Sequence, residues 1–300
     1  VDVRQLRYFL AIVDHDGFSR AAEALHVSQP ALSQTIATLE RELHVQLFHR
    51  IGRRATLSAA GEELLGHARV VLRDLDTAHA AMDAVRGVRS GRVDISSMPS
   101  PGIEPLASII AAYTRQHPEI SLCVDGAFTA DEVLAAVRTG AAEVGLLGTA
   151  TELHAPGVSV QPLVDQSLVL VTRQDDPRFG SVSTITRDEL AGARFIASPT
   201  GSRMRSLLDD ALAAGVELDI AVQVAHRTSI LPLVLRGVGV AILPSSWVPL
   251  ATASGLHTVA IQPSSLLRVA LVSRRDHLSA AAAAFLEVAR EVAAGFADAP

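Results

Sequence analysis

The chain has 300 residues, 49% of them hydrophobic, enough for about two folding units that each bury a core of their own. Its one cysteine, Cys123, excludes an internal disulfide and any zinc site built on several thiolates, and fits a reducing compartment. A net charge of −6 speaks against a uniformly basic nucleic-acid binder, yet the first ninety residues hold arginine and acid in equal numbers, and Arg50, Arg53 and Arg54 cluster within them.

The start, VDVRQLRYF, lacks the charged-then-apolar order of an export signal. No run approaches the roughly 18 apolar residues of a spanning helix, so a cytoplasmic protein with no membrane partner is expected. Leu6, Phe9, Leu10 and Val13 recur at helical spacing until Asp16-Gly17 breaks the pattern. A second, short helix is expected from Ser19 as N-cap through Ala21, Ala22, Ala24 and Leu25, its small residues allowing close approach of a neighbour.

A third helix opens at Ser28, a capping hydroxyl, with Pro30 tolerated in the first turn where no donor is needed. Leu32, Ile36, Leu39 and Leu43 form its packed face, which turns Gln29, Pro30, Ser33 and Gln34 outward. Amides, a hydroxyl and no carboxylate before Glu40 suit base edges in a major groove, although on this helix alone a solvated polar face accounts for the pattern equally well. Leu47 to Arg50, a turn at Ile51-Gly52 and Arg53 to Leu57 read as a hairpin that exposes Arg50, Arg53 and Arg54. Arginines so placed can reach phosphates or a narrow minor groove and tip the balance towards double-stranded DNA as a partner.

Phe9, Phe18, Ala21-Ala22, Leu25, the run Val27 to Ser33, Leu39-Glu40, Leu47-Phe48, Arg50 and Leu57 to Gly61 resemble the LysR-type transcriptional regulators. The resemblance is dense over the first sixty residues and continues through weaker motifs over nearly the whole chain. It implies Gln29, Pro30, Ser33 and Gln34 in the major groove and Arg53 with its neighbours in the minor groove. It further implies a small-molecule effector, a homodimer or homotetramer, and RNA polymerase as a partner. The sequence departs from the family at His44, where glycine is usual, at Gln34 and Thr38, where basic residues are common, and at Ser58, which replaces a frequent threonine. Helix three should therefore touch phosphates less, which leaves the wing a larger share.

From Ser58, another N-cap, the chain runs without proline to Val88, and Leu64, Ala68, Val71, Leu75, Ala78, Met82 and Val85 alternate by four and three. Such a seam needs a partner helix. A long helix joining two folded units favours its own copy over an intramolecular partner, and a two-fold dimer calls for an operator that is an interrupted inverted repeat.

Beyond Gly91, short β-branched runs alternate with helices, which marks an α/β class with largely parallel sheets. Strands are expected from Gly91 to Ile95, where the pattern begins, and at Ile120 to Val124, Val144 to Leu147, Val158 to Val160 and Leu168 to Thr172. A second set covers Arg194 to Ala197, Ile220 to Val224, Val240 to Leu243, His257 to Ile261 and Val269 to Ser273. Helices are expected near Glu104 to Gln116, Asp131 to Arg138, Arg203 to Ala213, Ser229 to Arg236 and Ala280 to Ala293. In the family this region resembles a type-two periplasmic binding protein, whose chain crosses to a second lobe and back, here near Asp165 and Leu266. The organisation expected is a winged helix-turn-helix over 1–57, a linker helix over 58–89, lobe I over 91–165 and 266–300, and lobe II over 166–265.

Ligands in such sheets bind outside the carboxyl ends of strands. Ser100, Thr129, the run Pro199-Thr200-Gly201-Ser202, and Thr228 fall there, and they suit an anionic effector, although each taken singly could simply cap its own helix. Arg203 and Arg227 could neutralise a carboxylate or cover the surface. No Walker loop, HExxH motif or nucleophile elbow occurs, and Gly237-Val238-Gly239 lacks the third glycine of a dinucleotide fingerprint. No enzyme activity, metal or cofactor is expected. The main rival is a binding protein that acts without DNA, against which the arginine wing and the missing export signal speak.

Overall fold

The computed structural model of the chain describes residues 1–51, 54–85, 91–275 and 278–297. Its N-terminal head packs helices α1 (Val3–Asp14), α2 (Phe18–Ala24) and α3 (Gln29–Leu43) against a hairpin of β1 (Phe48–Ile51) and β2 (Arg54–Leu57). The periodic apolar residues meet in one core of Leu6, Phe9, Ile12, Leu32, Ile36, Leu39 and Phe48. Asp2 caps α1 in a reciprocal pair with Gln5, each side chain accepting the other's backbone amide at 2.7 Å. Ser28 caps α3 as expected, accepting from the Ala31 amide.

Two local expectations need correction. Helix α2 starts at Phe18 with Gly17 as its cap, not at Ser19, because Gly17 adopts a φ of 145° that turns the chain sharply into the helix. In the hairpin Ile51, expected in the turn, instead pairs with Arg54 on the ladder, whose extended backbone suits its β-branched side chain; Gly52, the other expected turn residue, lies outside the described residues. The residue after α3, His44, stands in the left-handed region with φ 57°, and its amide caps the carbonyls of Glu40 and Arg41.

Ser58 accepts from the Gly61 amide and starts the long helix α4 (Ala59–Val85); the expected continuation to Val88 lies outside the described residues. The apolar seam of α4 is not one uniform stripe. Leu64 and the fully buried Ala68 pack into the head core of the same chain, whereas Val71 is 47% exposed. Arg69 pairs with Asp14 of α1 at 3.1 Å, and one turn later Arg73 donates to the Gly140 carbonyl of the sensor.

The sensor has two lobes built on a curled mixed sheet. In the first, β3 (Gly91–Ser97) lies parallel between β4 (Ile120–Gly126) and β5 (Val144–Thr149). Val158 to Val160 and Leu168 to Thr172, expected as two strands, are parts of one 16-residue strand, β6 (Val158–Arg173). Up to Ser167 it pairs antiparallel with β12 (Leu266–Arg274), and beyond that with β10 (Ala241–Pro244) and β11 (Leu256–Gln262). In the second lobe β7 (Thr184–Thr186) joins β11, and β8 (Arg194–Ala197) runs parallel to β9 (Asp219–Gln223). The sheets are thus mixed and not largely parallel, because a chain that enters a second lobe and returns must run both ways through the connection.

The helix expected near Glu104 to Gln116 is α6 (Leu106–Gln116), and a separate short helix not expected from the sequence, α5 (Pro99–Ile103), precedes it. Pro105 forces Glu104 into extended backbone, at φ −146° and ψ 137°. Lobe I is completed by α7 (Ala130–Arg138); lobe II holds α8 (Arg203–Ala213), α9 (Ile230–Leu235) and α10 (Val248–Ala253). Helix α11 (Ala280–Ala297) returns to lobe I, where Phe285 meets Tyr113 edge-on within a core that includes Ile95, Ile109 and Leu146. The second core gathers Leu170, Phe195, Leu207, Ile242 and Val259.

His44→Gly relieves the left-handed strain at the end of α3 and should raise the stability of the head by about 0.5–1 kcal/mol. Thermal unfolding of the full chain checks this; a lower midpoint would show that the histidine side chain does more than tolerate the turn.

Candidate functional site

On α3 the side chains of Gln29, Pro30 and Gln34 are exposed and Ser33 is half-buried, so all four lie off the packed face. Thr35 and Thr38 return their hydroxyls to the carbonyls of Ala31 and Gln34 at 3.0 Å, and Arg41 donates to Thr38. Beside α3 lies a cavity of about 410 Å³, lined by Ser33, Ala37, Glu40, Gln46, Phe48 and His49 among others. Arg50 and Arg54 belong to β1 and β2, on the ladder that Phe48 begins; Arg53 lies outside the described residues.

Glu40 joins the helix to the hairpin. One of its carboxylate oxygens accepts from the amides of Leu47 at 2.7 Å and of Phe48 at 3.3 Å. Phe48 in turn packs against Phe9 and Phe18 with centroids 5.3 and 5.5 Å apart. From the sequence Glu40 looks like the first acid to interrupt a polar face. Its role shows only once the hairpin folds back seven residues later.

In the sensor, Ser100 and Thr129 follow the carboxyl ends of the adjacent parallel strands β3 and β4, whose loops meet where the Ala127 amide donates to Ser97. Ser100 lies within α5 and caps nothing. Thr129 is exposed and caps α7 in a reciprocal pair with Glu132. In lobe II, Pro199, Thr200 and Gly201 form a turn closed by the Ser202 amide on the Pro199 carbonyl, with Gly201 at φ 86°. Ser202 caps α8 through the Arg205 amide. Thr228, expected to cap a helix, lies inside a 3₁₀ turn over Arg227–Ser229 and makes no cap bond.

Arg203 and Arg227, indistinguishable in the sequence, part company here. Arg203 donates to the Leu266 carbonyl at 3.0 Å and to Ser206, which fastens α8 to the crossing strand β12. Arg227 is 7% exposed, and its Nη1 donates across the lobes to Ser100 Oγ at 2.9 Å and lies 3.6 Å from the Met204 sulfur. Burial pushes its guanidinium down to about 10. A second bridge was not foreseen: Gln166 on β6 donates to the Glu104 carbonyl of lobe I at 2.9 Å and accepts from Ser246 of lobe II at 3.0 Å.

Among the described residues no group of three His, Cys, Asp or Glu side chains is placed to hold a metal, and no helix is long and apolar enough to cross a membrane.

Residues 3–62 match the family described as bacterial regulatory helix-turn-helix protein, lysR family, and residues 86–294 match the LysR substrate binding domain. The HTH-type transcriptional regulator GbpR of Azospirillum brasilense is 30% identical over 207 residues, which are 69% of this chain; the chain spans only 60% of that relative. The hydrogen peroxide-inducible genes activator of Pectobacterium carotovorum subsp. carotovorum is 30% identical over 250 residues, covering 83% of this chain and 82% of its own. A full-length OxyR variant from Pseudomonas aeruginosa shares the fold with a TM-score of 0.74 at 23% identity, over 98% of this chain and 94% of that one.

Glu40→Ala leaves two backbone donors without their acceptor and should lower the stability of the head by about 1–3 kcal/mol. Hydrogen exchange at the Leu47 and Phe48 amides should accelerate at least about tenfold. Unchanged protection at both would contradict the role given to Glu40.

Proposed function

Because the chain belongs to the LysR family of bacterial transcriptional regulators, we propose that its head grips duplex DNA and that a small molecule held between its lobes adjusts transcription. The observation that carries this is the Glu40 clasp: it holds a polar helix face and an arginine-bearing hairpin in one rigid unit. Gln29, Pro30, Ser33 and Gln34 then contact base edges in the major groove. Arg50, Arg53 and Arg54 take phosphates or the adjacent minor groove.

The exposed Val71 and the apolar positions that follow it on α4 call for a second copy of the helix, so the working unit is a homodimer or a tetramer made from two. Two heads related by a two-fold axis read an interrupted inverted repeat. Such a regulator acts in the cytoplasm and meets RNA polymerase on the DNA. The head covers 1–57, the linker 58–89, lobe I 91–165 with 266–300, and lobe II 166–265.

Ser100, Thr129, the turn Pro199 to Ser202, and Thr228 contribute to the effector cleft. We assign this cleft to binding and not to catalysis.

Gel shifts with the DNA upstream of the gene test the head. Arg54→Ala should weaken binding to all sequences and reduce the slope of log K against log salt by about one, whereas Gln34→Ala should cost about 1–3 kcal/mol on the specific site only. Equal salt slopes for wild type and Arg54→Ala would contradict the wing's part. Thr129→Ala or Ser202→Ala should shift the effector response and spare operator binding; an unchanged response in both would remove these residues from the cleft.

A further inference from the structure

Arg227 is the one basic side chain in the buried set of the described residues, and no carboxylate among them lies within ion-pair distance of it. Its neutral partners, Ser100 and Met204, engage only Nη1. Nε and Nη2, the paired edge that fits a planar two-oxygen anion, have no acceptor among the described residues. Taking a guanidinium out of water without a counter-charge is costly, so a buried arginine of this kind is half of an unfinished pair.

The surroundings complete the picture. Met204, in contact with the guanidinium, sits in the first turn of the 11-residue helix α8, where the Ser202 hydroxyl serves Arg205 and the amides of Arg203 and Met204 have no acceptor among the described residues. The Ser198 hydroxyl, next to the Ala197 carbonyl that accepts from the Val224 amide three residues before Arg227, is buried and has no partner among the described residues.

We propose that the effector carries a carboxylate, that this carboxylate pairs with Nε and Nη2 of Arg227, and that Nη1 keeps its bond to Ser100 so that one guanidinium ties anion and both lobes together. The proposal rests on the cleft being the effector site. It adds a physical reason for closure: bringing Ser100 onto Arg227 buries a cation, and the anion removes the penalty, so the closed arrangement is favoured when the carboxylate is bound. Arg203 takes no part, since its donors already hold Leu266 and Ser206.

The test uses the full-length protein with propionate and its uncharged isostere propionamide, at ionic strength held constant with sodium chloride. At tens of millimolar, propionate should raise the unfolding midpoint of the wild type by about 2 °C or more beyond propionamide. Arg227→Gln should lose that excess, while the exposed-site control Arg236→Gln should retain it. Without ligand, Arg227→Met should unfold no earlier than the wild type, because it removes an uncompensated buried charge; a merely structural arginine would give a clear drop. An equal excess in wild type and Arg227→Gln, or no excess of propionate over propionamide, overturns the anchor. Loss of the excess in Arg227→Gln, with operator binding indifferent to propionate throughout, leaves the anchor standing and contradicts the effector role of the cleft.

Discussion

The bond from the Glu40 carboxylate to the amides of Leu47 and Phe48 sets the geometry on which the head depends. A helix and a two-stranded ribbon share little surface of their own and would move independently on a single hydrophobic contact. One carboxylate oxygen shared by two successive amides fixes both the distance and the direction of the hairpin relative to α3. The aromatic contacts of Phe48 with Phe9 and Phe18 then close the unit from the other side. The exposed residues Gln29, Pro30 and Gln34 of α3 are uncharged, and the clasp holds beside them a ladder that carries Arg50 and Arg54.

The same economy of contact governs the sensor. Two antiparallel strands, β6 and β12, carry the chain between the lobes, and side chains near this crossing hold the lobes in register: Gln166 between Glu104 and Ser246, and Arg227 on Ser100. One bridge is neutral and fully paired. The other contains a buried charge with no acid within ion-pair distance among the described residues, and on the proposal made above it is the one that an anion strengthens. The linker meets both neighbours within a single turn, through Arg69 on the head and Arg73 on Gly140 of lobe I, so a change in that lobe has a short route to α4.

Much of this was legible in the sequence wherever the signal was local. The cap at Ser28, the packed face of Leu32, Ile36 and Leu39, the reciprocal pair of Thr129 and Glu132, and the start of α4 at Ser58 each follow from residues within a turn of one another. What escaped depends on partners far apart in the chain. Ser100 and Arg227 are 127 positions apart, and nothing in either neighbourhood says that they touch. Glu40 was misread for the same reason on a smaller scale. The continuity of β6 was hidden because Pro162 interrupts its apolar pattern between the two runs that looked like separate strands, and the ladder with β12 shifts register near that point. The seam on α4 was seen as one stripe because periodicity cannot tell a partner in the same chain from a second copy.

The central claim is that two heads, each with α3 and its wing locked together, sit on one face of a duplex. Hydroxyl-radical footprinting of the full-length protein on the DNA upstream of its gene tests it most directly. Two protected patches of equal extent, a whole number of helical turns apart, with cleavage lost at the minor groove flanking each, are the expected result. A single patch, or uniform protection with no preferred fragment even at low ionic strength, would contradict it.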